Sequence, residues 1–169
     1  LSRPEGYYDF IWACESTEHV ADLNAMLREF GRVAKPSSRL VIMTWCIYDP
    51  KLKRVVDEHY LTATHAPEEY MKSAKTFSWD AVHHIDLTQL TIPYWGVRAS
   101  SANATGSERF MFPGIRDRKL QFHLFAFSND FWLLPADSVL LGLFPEEFFY
   151  VMFVKILFWA LIGSFGLVV

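Results

Sequence analysis

The chain has 169 residues, a formal net charge of −3, and a composition that is 51% hydrophobic and 17% aromatic. That length suits one domain with a single core, and the lack of any Lys/Arg cluster excludes a nucleic-acid partner, which needs a basic face. The two cysteines, Cys14 and Cys46, form neither a metal-spacing motif nor a disulfide framework, so no metal site is expected and a reducing compartment is the plain inference.

Residues 8–13, YDFIWA, are a short apolar run of β-favouring types, the pattern of a strand covered on both faces. The run stops abruptly in Cys14, Glu15, Ser16, Thr17, Glu18 and His19. Two carboxylates and an imidazole so placed match the way open α/β sheets present chemistry at their carboxyl edge. Next, Val20, Leu23, Met26, Leu27, Phe30 and Val33 recur at helical spacing and predict an amphipathic helix. Asp22 favours its amino end, and Arg28, Arg32 and Lys35 complement its carboxyl end. Pro36, Ser37 and Ser38 stop it, and residues 39–46, RLVIMTWC, predict a second buried strand. Strand, helix, strand is a βαβ unit with parallel strands.

Tyr48 to His65 is charged and mixed, and APEEYMKSAKTF then predicts a helix with Pro67 in its first turn. WDAVHHIDLT reads as a further strand, with adjacent His83 and His84 on opposite faces and therefore unable to share a metal. IPYWGVRASSANATGSE is loop-like, and Phe110 to Asp130 shows neither helical nor strand period. Residues 148–169 are mostly apolar with one charge, Lys155, long enough to cross a bilayer core of roughly 30 Å. Two readings of this tail stand: a transmembrane helix, which would associate the chain with a membrane, or sequence not native to the gene. No signal peptide is predicted.

In a parallel sheet the two strand ends share one crevice, which would hold Glu15, Glu18 and His19 beside Trp45. Glu18 or His19 could take a proton from an acceptor, and Trp45 could pack on a flat or cationic group. The plainer account of the carboxylates is attraction to a helix amino end; that of His19 is a half-buried, hydrogen-bonded imidazole.

The segment YYDFIWACESTEHVADLNAMLREFGRVAKPSSRLVIMTWC resembles the second half of the nucleotide-binding fold of class I S-adenosylmethionine-dependent methyltransferases. It is most similar to the tocopherol methyltransferase group and its sterol and alkaloid N-methyltransferase relatives. That group has a strand ending in an E-S-G-E-H loop, a helix ending in R-V-x-x-P-G-G and a strand ending in T-W-C. Here these are Glu15 to His19, Arg32-Val33 with Pro36-Ser37-Ser38, and Thr44-Trp45-Cys46. DEHYLTATHAPEEYMKSAKTF and DLTQLTIPYW continue the similarity, which covers about Arg3 to Glu108. Thr17 and Ser38 replace glycines of the family pattern and Leu87 a tryptophan, so Thr17 and Ser38 are expected to strain turns that want positive φ.

The resemblance implies an α/β fold class: the C-terminal half of a Rossmann-like methyltransferase fold, a parallel sheet with helices, followed by the apolar tail. Residues 1–108 would be a partial methyltransferase domain, 109–147 carry no assignment, and the family's closing helix and strands are absent. It implies S-adenosylmethionine as cofactor, bordered on its methionine side by Trp12, Ala13 and Cys14. Glu15, Glu18 and His19 would be the catalytic groups of the acceptor pocket, and Trp45, Tyr94 and Trp95 would bind the substrate. The acceptor would be a small molecule: a prenylated phenol, a sterol or an amine. Nothing matches the family's G-x-G-x-G turn or its ribose-binding acid, so the chain is expected to bind the cofactor poorly alone. The alternative is a non-catalytic, membrane-associated remnant of a methyltransferase.

Overall fold

The computed structural model describes residues 2–102 and 104–130. They form a four-stranded sheet in the order β1-β2-β4-β3, with β1 at Tyr8–Cys14, β2 at Ala34–Ile47, β3 at Asp80–Asp86 and β4 at Leu120–Ser128. The βαβ unit is as expected: β1 and β2 pair in parallel, Ala13 opposite Ile42 and Cys14 opposite Met43. The sheet as a whole is mixed, not parallel, because β4 runs antiparallel to both β2 and β3.

Helix α1, Leu23–Val33, buries Leu23, Met26, Leu27 and Val33, and the Asp22 carboxylate caps its amino end by accepting from the Ala25 N–H at 2.8 Å. Asp49 caps α2, Pro50–Tyr60, in the same way, and Pro67 sits in the first turn of α3, Pro67–Thr76. Thus part of the charged, mixed stretch after Tyr48 is helical. Its stripe was weak because α2 buries only Val56 fully.

Two further expectations are corrected. IPYWGVRAS is not a loop but part of α4, Thr88–Ser100, whose interior Pro93 hides the helical period. Residues 108–128 are not without structure: they form α5, Glu108–Arg116, and β4, the strand between β2 and β3. A closing helix and strand are therefore present. β4 escapes a simple pattern because it is covered on both faces and carries Gln121 and His123 in the sheet interior. There His123 accepts at Nδ1 from His84 Nε2 at 3.0 Å, and its own Nε2 donates to Gln121 Oε1 at 2.9 Å. The strand predicted as covered on both faces, β1, is instead an edge strand with Phe10 exposed.

Alternation along β2 and β4 divides the core in two. On one face Leu40, Ile42, Phe125 and Phe127 meet Leu27 of α1 and Tyr70 and Ala74 of α3. On the other, Ile47 and Leu120 meet Val56 of α2 and Met111 and Ile115 of α5. The described residues form an α/β sandwich whose sheet lies between two helical layers. Among the described residues no helix is long and apolar enough to cross a membrane, and the tail at 148–169 lies outside them.

Candidate functional site

The carboxyl ends of β1 and β2 lie side by side, and the Glu15 N–H donates to the Met43 carbonyl at 2.8 Å. Beyond Cys14 the chain turns sharply: Glu15 is left-handed at φ 46°, and Thr17–His19 form one 3-10 turn. Thr17 and Ser38 do not carry the expected positive φ; Ser37, which matches the first glycine of the family's P-G-G, and Glu15 do. The strain is therefore at a glycine position in the second turn and two residues before it in the first.

The tip of β2 sends Thr44 and Trp45 to opposite faces, and the two carboxylates follow them apart. Glu18 is 5% exposed and accepts from the Thr44 hydroxyl at 2.9 Å, next to the Tyr70 phenol, which lies 2.9 Å from Thr17 Oγ1. Burial pushes the Glu18 carboxyl up from its ordinary value, against backbone hydrogen bonds, the hydrogen bond from Thr44 and the electrostatic influence of the nearby His19. Glu15 reaches solvent on the Trp45 side. Desolvation raises its carboxyl as well, the Glu18 charge adds to this, and a hydrogen bond with Trp45 opposes it.

Trp45 belongs to an aromatic wall. Its ring meets Trp95 edge-on at 6.1 Å and Phe122 at 4.7 Å, and Tyr94 meets Trp95 at 5.5 Å. Burial raises the Tyr94 phenol, Arg98 opposes, and the Glu15 charge adds to the rise. The structure thus unites Trp45, Tyr94 and Trp95 in one wall, with Glu15 on the loop beside the strand tip that carries Trp45 and Glu18 buried against Thr44. His19 is exposed at the rim.

Of the residues expected to border the cofactor, Trp12 and Cys14 are half-buried, and burial pushes the Cys14 thiol up to about 11, away from a reactive thiolate. Ala13 is 6% exposed and turns into the core. Sequence reasoning missed Thr17, Thr44 and Tyr70. Thr17 and Thr44 entered only through the E-S-G-E-H and T-W-C likenesses and Tyr70 only as part of the predicted helix APEEYMKSAKTF, and none of these assigned the hydroxyls a role.

A methyltransferase-domain family profile matches residues 1–91. The chain belongs to the methyltransferase-domain family. It is 32% identical over 112 residues to the probable chloroplastic tocopherol O-methyltransferase of Oryza sativa subsp. japonica, a match covering 59% of this chain and 31% of that protein. It is 30% identical over 121 residues to the geranyl diphosphate 2-C-methyltransferase of Saccharopolyspora erythraea, covering 69% of this chain and 42% of the relative. A solved geranyl diphosphate methyltransferase in complex with SAM superposes with a TM-score of 0.73 at 27% identity, over 76% of this chain and 54% of that one. The expected class I, S-adenosylmethionine-dependent membership is borne out. The chain spans between about a third and about a half of the length of these relatives.

The residues present fit one side of that cofactor. The half-buried end of β1 can border a methionine moiety. The described glycines Gly6, Gly31, Gly96, Gly106 and Gly114 are scattered and build no cradle for an adenosine.

Proposed function

We propose that this chain forms the acceptor side of a small-molecule methyltransferase, with residues 1–108 and the α5–β4 closure together making a partial domain. The observation that carries the reading is the aromatic wall of Trp45, Tyr94 and Trp95 facing Glu15 at the carboxyl ends of two parallel strands. When bound, S-adenosylmethionine supplies an electrophilic methyl group on a sulfonium. Trp12 and Cys14 are the residues of this chain placed to border it.

In this reading the wall holds an apolar, flat acceptor by burying its surface. Glu15 accepts the proton that the acceptor loses, because its raised carboxyl holds a proton more readily than an ordinary carboxylate. The loop turn at Glu15, tied to β2 by its N–H to the Met43 carbonyl, places that carboxylate beside the strand tip that carries Trp45. Glu18 stands behind as a second negative charge that raises Glu15's affinity for a proton. His19 contributes at the rim, where it can meet a polar end of the acceptor. Most of the rate enhancement then comes from positioning. The named activities of the relatives, on tocopherol and on geranyl diphosphate, support a prenyl-bearing acceptor, and the aromatic wall also suits a sterol or an amine.

The test is a fluorescence titration of the chain with tocopherol, geranyl diphosphate, a sterol and an alkylamine. Saturable quenching by at least one class, removed by Trp45→Ala, is expected. Quenching by none of them would overturn the acceptor-side reading. A parallel titration with S-adenosylmethionine should show weak or no saturation; tight saturable binding would overturn the partial-domain reading.

A further inference from the structure

Glu15 has a left-handed backbone at φ 46°, a conformation that a residue with a Cβ keeps only where its surroundings over-determine it. The surroundings here are specific. Upstream, the Glu15 N–H donates to the Met43 carbonyl at 2.8 Å; downstream, the Ala63 N–H donates to the Glu18 carbonyl at 2.6 Å. Two side-chain contacts complete the hold: the Thr44 hydroxyl donates to Glu18 Oε2 at 2.9 Å, and Thr17 Oγ1 lies 2.9 Å from the Tyr70 phenol. The Thr44 and Tyr70 oxygens are themselves 3.5 Å apart.

Three hydroxyls and a carboxylate so gathered cost desolvation that apolar side chains of similar size would avoid. Thr44 and Tyr70 have no exposed surface, and Thr17 has 1%. The Tyr70 ring does not need its hydroxyl to pack, since it stacks on Phe125 at 5.2 Å and meets His65 edge-on at 5.9 Å. The polar cluster must therefore serve something other than filling the core.

We infer that Thr44 and Tyr70 are positioning residues: acting through Glu18 and Thr17, they hold the strained loop, and Glu15 with it, at the carboxyl ends of β1 and β2 beside the strand tip that carries Trp45. The inference rests on the reading of Glu15 as proton acceptor and names the groups that aim it. The groups facing Glu15 are Glu18 from its own loop, Trp45 from β2 and Tyr94 from α4. Cys14, the last residue of β1, feels both glutamate charges.

Two measurements test this without an activity assay. The first follows the Trp45 indole N–H resonance through a pH titration, where it reports the charge on Glu15. Tyr70→Phe and Thr44→Val should remove most of that response. Thr44→Ser, which keeps the hydroxyl, should retain it, as should Ser73→Ala, which removes another hydrogen bond of α3, from Ser73 to Asn24. An unchanged response in folded Tyr70→Phe and Thr44→Val proteins would overturn the inference.

The second is a double-mutant cycle on denaturant stability. With Glu15→Gly the left-handed turn carries no strain, so the hydroxyls no longer hold strain in place. Tyr70→Phe should then cost about fivefold more in the unfolding equilibrium constant than it does with Glu15 in place. Additive effects would overturn the hold on Glu15. The reading beneath it fails differently: a Glu15→Gln enzyme with unchanged turnover would remove the proton-acceptor role and leave the coupling standing.

Discussion

On the face covered by α1 and α3, the tip of β2 offers Thr44, fully buried and hydrogen-bonded to Glu18, whereas the next residue, Trp45, faces the opposite layer and is half-exposed in an aromatic wall. One face is closed, polar at its upper end and locked by hydroxyls; the other is open, aromatic and lined by a solvent-reaching carboxylate. Adjacent residues reach such different settings because a strand alternates sides at every step. The comparison teaches that the loop after β1 does two jobs with two acids: Glu18 anchors and Glu15 reaches out.

The largest effect expected lies on the closed face. Phe125 has no exposed surface and stacks on Tyr70 and Phe127, so Phe125→Ala should cost about 3–5 kcal/mol of stability. Trp45→Ala, on the open face, should cost less, and chemical denaturation of both variants gives the contrast directly. Equal losses would break the division into a closed and an open face.

Next comes Glu15→Gln in a complete enzyme, which should lower turnover by about 10²–10⁴-fold and leave the melting temperature nearly unchanged. Steady-state rates and thermal unfolding check both halves of that statement. A comparable loss of turnover from Glu18→Gln would show that the two acids share the proton work.

Stability against pH separates the acids more finely. Burial raises Glu18 from its usual 4.5, so the folded state favours the protonated form. Its contribution is full below about pH 4.5 and is lost as pH rises through the raised folded value. Asp86 and Glu108 behave oppositely. Burial works against their charges, but hydrogen bonds from Thr88 and Arg118 to Asp86, and from the Thr105 and Gly106 backbone and Arg98 to Glu108, outweigh it and hold both near about 2. Their contribution is full above the usual carboxylate range and is lost as pH falls toward 2. Relative to the wild type, Glu18→Gln should therefore lose less stability between about pH 4.5 and 7 and follow it at lower pH. Urea unfolding across a pH series measures this.

The smallest effect belongs to the exposed surface. Arg54 and Glu58 form an i,i+4 pair at 2.8 Å with both side chains largely in solvent, and Glu58→Gln should leave the denaturation midpoint essentially unchanged. A lowered midpoint would mean that α2 depends on its surface charges more than on the cap at Asp49.

Much of the first half of the molecule was legible in the sequence, because there the local signals agree with the fold. The run 8–13, the stripe from Val20 to Val33 and the run 39–46 became β1, α1 and β2 with the predicted parallel pairing. The second half was legible only at α3 and β3. Pro93 inside α4 and Pro113 inside α5 contradict the helical pattern locally, and tertiary contact overrides them: the two helices pack on each other and on β4. In β4, the buried Gln121 donates to the Arg118 carbonyl of the preceding turn, and His123 is met by His84 from a distant part of the chain, so only the second contact depends on tertiary packing.

The same division runs through the site. By itself the sequence determined that two acids follow a strand, that a tryptophan ends the neighbouring strand, and that the chain resembles a methyltransferase, since these depend on local order and motif. Only the tertiary structure decided which acid is buried and which is open, because that depends on which side of β2 each meets. It also decided that Tyr70, some fifty positions beyond Thr17 in sequence, brings its hydroxyl to within 2.9 Å of it. Hydrogen bonds between buried side chains depend on the packing of layers, and no local pattern of residues records that.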